Sequence, residues 1–424
     1  MEYLISACLF LIPAYIFRLR IFGVPTNVFE VAVGVLFLAF VVARISRHFR
    51  PDRKSTTVDS RLHGNDKPDK IQFGFSAALA VLFFAAAGVA VAADKTRALG
   101  IFKGWFLIPA LLYFVIINIK PKIKTLVLPL FLSLLIVSVW TISQKIGLIS
   151  TLFYQVGDSG FSDYIARART FGPFESPNYL AMFLLPMMFA TLPILTLAKK
   201  KTDKLLIFSL YLLPLFALYA SHSLGGLLAF AVGSVGVIAF SLVKIFKSRF
   251  AGRGWAIVGL AVALIVVAVG FALVFSSIGH EVFDRSIRID IYNYAITLIK
   301  SHPVFGIGLG QFQDSVRQIS AGNLGFTLYG LAYALHPHNL FLAFWLYTGG
   351  FGFLAFITLL GNFFWNLARR RGDIIILAGS FAAMLAILVH GLVDTTYFKN
   401  DLSAVFWVLL AISMVFGSQN QIKN

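Results

Sequence analysis

The sequence predicts an all-α fold: a polytopic integral membrane protein of about twelve transmembrane helices, with a large, partly helical extracytoplasmic loop before the tenth. Three observations carry that expectation. The chain is 59% hydrophobic and 13% charged over 424 residues, whereas soluble domains carry about 25% charged residues. Apolar runs of roughly 18 residues or more recur along it, each long enough to cross about 30 Å of hydrocarbon. The runs are solid rather than alternating, which selects helices over a barrel, the only other fold that satisfies its backbone in lipid.

The spans fall in order at about 3–17, 28–43, 73–93, 105–119, 125–142, 178–198, 205–221, 224–243, 255–276, 339–365, 374–391 and 402–417. The first begins MEYLISACLFLIPAYIF and has neither a basic leading region nor a small-residue cleavage site. It reads as a retained span rather than a removed signal. Its Cys8 is the single cysteine of the chain, which excludes an intrachain disulfide.

The net charge of +18 would suggest nucleic acid in a soluble protein. Here the basic residues gather in short loops: RISRHFRPDRK, KPKIK at 120–124, KKKTDK at 199–204, KIFKSRFAGR at 244–253 and ARRR at 368–371. Alternating spans put all five on one side, which is the cytoplasm. Nucleic acid is excluded as a partner, and both termini are expected in the cytoplasm. RLR at 18–20 is the exception, since it falls outside.

The opposite face carries two long segments, roughly 144–177 and 277–338. Loops of this length are usually functional or disordered, and their aromatic and aliphatic content argues against disorder. In the second, SIRIDIYNYAITLIK sets Ile287, Ile291, Tyr294 and Leu298 at helical spacing, which predicts an amphipathic helix near the membrane surface. His302-Pro303 ends it, and GIGLG reads as a tight turn. The expected organisation is therefore 1–276 (nine spans and the outer segment at 144–177), 277–338 (the extracytoplasmic loop) and 339–424 (three spans).

Ser176-Pro177 reads as an N-cap and first helical residue of the sixth span, and Pro337 is given the same first-turn role in the tenth. That role leaves His336 as a cap-like flanking residue and puts His338 inside the turn, about 200° away on a helix. Both helix N-termini face outward and favour anions. Arg167 and Arg169 precede the first, and Arg285 and Arg288 precede the second, on a face otherwise poor in arginine. Arginine clamps phosphate bidentately, so a diphosphate-sized anion at the outer leaflet is expected. His336 or His338, in a field opposing protonation, suits a general base. HGLVDTTYFKND at 390–401 reads as a polar turn between spans, with a contribution to the site as the less favoured reading. There is no nucleotide-binding loop, HExxH or CxxC, and no outer carboxylate cluster suited to Mg²⁺ or Mn²⁺. No cofactor and no metal are expected.

Three stretches in order carry a family resemblance: RTFGPFESPNYLA at 169–181, RIDIYNYAITLIKSHPVFGIGLGQF at 288–312 and HPHNLFLAFWLYTGGFG at 336–352. The chain resembles the O-antigen ligase and polymerase (WaaL/Wzy-type) family of cell-envelope polysaccharide enzymes, over nearly its whole length. The resemblance implies a metal-independent glycosyltransferase of the bacterial inner membrane, acting at its outer face in polysaccharide or lipopolysaccharide biosynthesis. The implied donor is a glycan on undecaprenyl diphosphate, and the implied acceptor is lipid-anchored or a glycan. It further implies that Arg169 and Arg288 bind the diphosphate and that His338 activates the acceptor hydroxyl. Arg167, Asn178, Arg285, His336 and Asn339 are supporting candidates. Two positions depart from the family pattern. Tyr347 stands where an acidic residue is frequent, and Leu224 stands where an arginine is frequent. Ligase and Wzy-type polymerase both fit these residues. A lipid or polysaccharide transporter is the rival class, but transporters place ionisable groups mid-span. Here the spans are nearly free of charge, with Glu30 near the outer end of the second.

Reporter fusions after residues 60, 202 and 370 should read cytoplasmic, and fusions near 160 and 320 external. A cytoplasmic signal at 320 would contradict the orientation and remove the outer site.

Overall fold

A computed structural model describes residues 1–48, 71–149, 169–249, 282–322, 336–370 and 372–416. The protein is an all-α polytopic membrane bundle. Among the described residues, seven helices are long and apolar enough to cross a membrane, and three shorter apolar helices lie at Phe75–Val91, Ile374–His390 and Asn400–Val415. The expected span at 255–276 lies outside the described residues, as does much of the two long segments at 144–177 and 277–338.

The first apolar run departs from expectation. Helix α1 (Glu2–Phe10) stops, and a 3-10 turn at Ile12–Ile16 follows with Pro13 in its first turn. Proline lacks the N–H that the ladder needs and clashes with the carbonyl four residues back. The chain then forms a β-hairpin, β1 (Arg18–Ile21) with β2 (Val24–Asn27), paired antiparallel. Phe22 and Gly23 at its tip have φ of 50° and 79°, the positive values that a two-residue hairpin turn demands.

Helix α2 (Val28–His48) buries Glu30 in its first turn, 2.8 Å from Lys103 and accepting from Asn400 at 2.9 Å. Glu30 is thus a paired structural group. Helix α3 (Ile71–Val91) leads to α4 (Lys95–Ile101), capped by Asp94, and through a π-helical turn at Phe102–Leu107 to α5 (Ile108–Ile119). Helix α6 (Ile123–Lys145) follows. Helix α7 (Pro177–Ala190) starts as the sequence predicts, with Ser176 Oγ accepting from Tyr179 N at 3.2 Å and Pro177 in the first turn. Next come α8 (Lys201–Leu210), α9 (Leu212–Ala220) and α10 (Leu224–Arg249).

Within the expected 277–338 loop lie α11 (Val282–Ser301) and α12 (Phe312–Gly322). The chain finishes with α13 (Leu340–Arg369), α14 (Ile374–His390) and α15 (Asn400–Val415). Helix α14 packs on α10 and α7, α15 on α5, and α13 on α3. Helices α7 and α15 are apolar and buried almost all round, the pattern of helices inside a bundle. Their N-termini therefore lie within the protein and not against lipid. The apolar face of α11 also turns inward. Ile291 and Ala295 are buried, Tyr294 donates to Ser315 O at 2.9 Å, and α11 packs on α13.

Helix α13 breaks at Gly349, where φ is 73° and ψ is 176°. The stretch HPVFGIGLG supplies the bonds that the break removes. Ile307 N donates to Leu346 O at 2.8 Å, and Gly350 N donates to Pro303 O at 3.0 Å. Leu309 N donates onward to Gly88 O of α3 at 3.2 Å. Irregular backbone at membrane depth is tolerated only where protein satisfies it. The approach is too close for side chains: a Cβ on Gly349 would lie 2.0 Å from Val304 O, and one on Gly306 would lie 2.2 Å from Leu346 O. Gly306 of GIGLG and Gly349 and Gly350 of TGGFG thus serve one joint.

Gly349→Ala and Gly306→Ala should each lower thermal stability in detergent, by roughly 1–3 kcal/mol from backbone strain alone and more from overlap. Gly361→Ala, where nothing lies within 4 Å of the added carbon, should leave the melting temperature unchanged. Equal melting temperatures for Gly349→Ala and Gly361→Ala would contradict the joint.

Candidate functional site

Three pieces of chain meet at one buried carboxylate: the start of α7, the turn ahead of α13, and the 391–399 loop between α14 and α15. Helix α11 packs on the last two through Arg288 and Tyr292. The turn fixes the histidines. Asn339 is the N-cap of α13, with Oδ1 accepting from Phe341 N at 2.9 Å and Leu342 N at 3.1 Å. Its Nδ2 donates to Leu392 O at 2.9 Å, and Leu340 N donates to Gly391 O at 2.7 Å.

This corrects the expected helix start. Pro337 is not in the first turn and His338 is not inside the helix. Asparagine is among the strongest N-caps, so the helix begins after it. His338 lies outside with φ of 44°, a left-handed conformation in which histidine is enriched among non-glycine residues. The helical 200° separation therefore does not apply. The His336 and His338 rings lie 4.2 Å apart between centroids and face the same carboxylate. The Tyr292 hydroxyl of α11 donates to His338 O at 3.0 Å.

That carboxylate is Asp394. Its Oδ1 lies 3.4 Å from His338 Nδ1 and 4.0 Å from His336 Nδ1. Neither imidazole contact is aligned as a hydrogen bond. Oδ1 accepts from Thr395 N at 2.8 Å, and Oδ2 accepts from Asn178 Nδ2 at 3.2 Å. Burial acts to raise the Asp394 pKa, but the neighbouring His338 outweighs it and holds the carboxyl well below the usual range. Asp394 is therefore ionised at neutral pH.

His336 is the neutral member. Burial first, then the charge of His338, push it down to about 3, with Asp394 only partly offsetting them. Its Nε2 lies 3.1 Å from the Tyr179 hydroxyl. With Tyr179 donating, the ring proton sits on Nδ1, toward Asp394. His338 is the more open of the two, at 27% side-chain exposure against 16% for His336 and 3% for Asp394.

The arginines flank this cluster. Arg169 Nε donates to Ser221 O at 3.0 Å and Nη2 to Asn178 Oδ1 at 3.1 Å. Arg169 is thus one side chain removed from Asp394. Arg288, on α11, donates to Val393 O at 3.3 Å, and its charge acts on His336. Arg167 lies outside the described residues. Arg285 falls in the first turn of α11, and its side chain also lies outside them. Of the candidates, the structure thus gathers Arg169, Asn178, Arg288, His336, His338 and Asn339.

The 390–401 stretch is not a mere polar turn. Its His390, Asp394, Thr395, Thr396, Lys399 and Asp401 are all buried. Sequence reasoning gave this stretch a place in the site only as the less favoured reading, without singling out Asp394 or Lys399, and it did not single out Tyr179, Tyr292, Ser221 or Glu175. The available signal was the density of polar residues at a junction of apolar spans.

The nitrogen and oxygen atoms of His336, His338 and Asp394 lie within 4.8 Å of one another. Two imidazoles and a carboxylate form a donor set for a transition metal rather than for Mg²⁺ or Ca²⁺. Asp394 is however already engaged by Asn178 and Thr395, and the positive charges of Lys399 and Arg288 act at His336. Those positive charges oppose a bound cation, whereas the hydrogen bonds to Asp394 do not, since ligating carboxylates are themselves hydrogen-bonded.

Residues 209–357 match the family model described as O-antigen ligase. Comparison with curated proteins gives no match. The matched stretch includes Arg288, His336, His338 and Asn339. Arg169, Asn178 and Asp394 fall outside it.

Proposed function

We propose that this chain, whose residues 209–357 match the family model described as O-antigen ligase, transfers a saccharide from an undecaprenyl-diphosphate carrier to an acceptor hydroxyl. The match supports glycan transfer in O-antigen or polysaccharide biosynthesis, and with the apolar helices it supports a multi-pass inner-membrane protein. About twelve spans, cytoplasmic termini and a site at the outer face complete the reading, with residues 277–338 as the extracytoplasmic loop that brings Arg288.

The observation that carries the chemistry is the pairing of His338 with Asp394 at 3.4 Å, on the more exposed of the two imidazoles. Asp394 favours a proton on His338 Nδ1 and leaves Nε2 basic. In sites without substrate such contacts are commonly long and tighten with the substrate in place. Nε2 takes the acceptor proton as the acceptor oxygen bonds to the anomeric carbon. The bond from that carbon to the diphosphate oxygen breaks, and undecaprenyl diphosphate leaves. Asp394 stabilises the imidazolium that forms, as a triad carboxylate does. Arg169 and Arg288 meet the charge that develops on the diphosphate, aided by the N-termini of α7 and α13. Arginines supply this stabilisation in place of a metal ion.

The test is single-turnover transfer from a synthetic undecaprenyl-diphosphate saccharide, with donor binding measured alongside. His338→Ala should lower transfer by about 10²–10⁴-fold, the range for losing a general base, while donor binding persists. His336→Ala should be milder, and EDTA should leave the rate intact. A dead His336→Ala beside an active His338→Ala would reverse the assignment. Strict loss in EDTA with rescue by a divalent ion would overturn the metal-free chemistry.

A further inference from the structure

Lys399 is a nearly buried lysine, at 9% side-chain exposure, just ahead of α15. A buried ammonium is costly unless it is paired. Its Nζ donates to Glu175 Oε2 at 2.8 Å and sits 3.8 Å above the centroid of the Tyr179 ring. The Tyr15 ring centroid is 5.0 Å away. Glu175 Oε1 also accepts from Arg18 Nη2 at 3.0 Å, which gives the outlying RLR sequence a partner. The Tyr179 ring held by this cation carries its hydroxyl to His336 Nε2.

We infer that Lys399 is a positioning residue for the proposed transfer: clamped between Glu175 and the Tyr179 ring, it fixes the Tyr179 hydroxyl on His336 and so orients the His336 ring toward Asp394. The inference rests on the functional reading above only for its effect on rate. The physical link is direct. A cation over the ring face is attracted to it, and the carboxylate of Glu175 holds that cation in place. Displacing the cation frees the ring, and the hydroxyl no longer selects the His336 tautomer. The charged and titratable groups around His336 are then Asp394 from the 391–399 loop, His338 beside it, Arg288 from α11 and Tyr179 from α7. Lys399 disfavours protonation of His336, so its removal moves the His336 titration toward higher pH.

The test is a ¹⁵N-imidazole NMR titration of the full-length protein in detergent. Wild type should show His336 as the neutral Nδ1–H tautomer, with protonation only at strongly acidic pH. Lys399→Met should mix the tautomers and shift protonation to higher pH, and Lys399→Arg, which keeps charge and ring stacking, should restore both. Tyr179→Phe removes the hydroxyl and keeps the ring, so it should mix the tautomers with Lys399 in place, which covers the case of a poorly folded Lys399→Met. In transfer assays with the synthetic donor, Lys399→Met should lower kcat by about tenfold with KM unchanged, and Lys399→Arg should recover it. A folded Lys399→Met with the wild-type tautomer and titration would overturn the inference, as would a Tyr179→Phe variant that keeps both. An inactive wild type would contradict the proposed function alone, and the titration would still decide the role of Lys399.

Discussion

The site depends on one buried charge. Asp394 is 2% exposed within an apolar bundle, and an isolated carboxylate in such surroundings is prohibitively costly. It persists because separate elements each bring a compensating group. Asn178 comes from the first turn of α7, Thr395 N from its own loop, and the two imidazoles from the turn before α13. None of these elements satisfies the carboxylate alone. The charge therefore sets where α7, α13 and the loop before α15 meet.

That meeting point needs rigid walls, and two devices provide them. Asn339 ends the turn in a cap that also grips Leu392 O, which ties the histidine turn to the Asp394 loop. Farther along α13, the break at Gly349 is filled by backbone from the 303–310 stretch, which in turn holds α3. Helix α11 precedes that stretch and carries Arg288 and Tyr292. The glycine joint thus links the placement of an arginine over the site to the interior of the bundle. Positive charge lies close by: Arg169 reaches Asp394 through Asn178, and the charges of Arg288 and Lys399 act on His336, beside helix N-termini that favour an anion.

The bundle and part of the site were legible in the sequence because they rest on local chemistry. Solid apolar runs specify spans, Ser176-Pro177 specifies a helix start, and the spacing of Ile291, Tyr294 and Leu298 specifies a helical face. The misses have equally physical causes. Pro13 interrupts an otherwise apolar run, and the hairpin that follows has no strong turn dipeptide, because Phe22 takes a positive φ that its type rarely adopts. His338 was put inside a helix because Pro337 suits a first turn, but the cap of Asn339 prevails. Asp394 looked like loop polarity because its partners lie far along the chain: Asn178 is 216 residues away. Lys399 and Glu175, 224 apart, were hidden for the same reason. Local pattern has no access to contacts of that separation.

The central claim is that the His338–Asp394 pair works beside an anion site made by Arg169 and Arg288. A structure of the protein with undecaprenyl diphosphate bound tests it most directly. The diphosphate should contact both guanidinium groups, with His338 Nε2 nearby and free to meet the acceptor hydroxyl. A diphosphate held instead at the basic loops of 199–204 or 244–253, away from His338, would contradict the account.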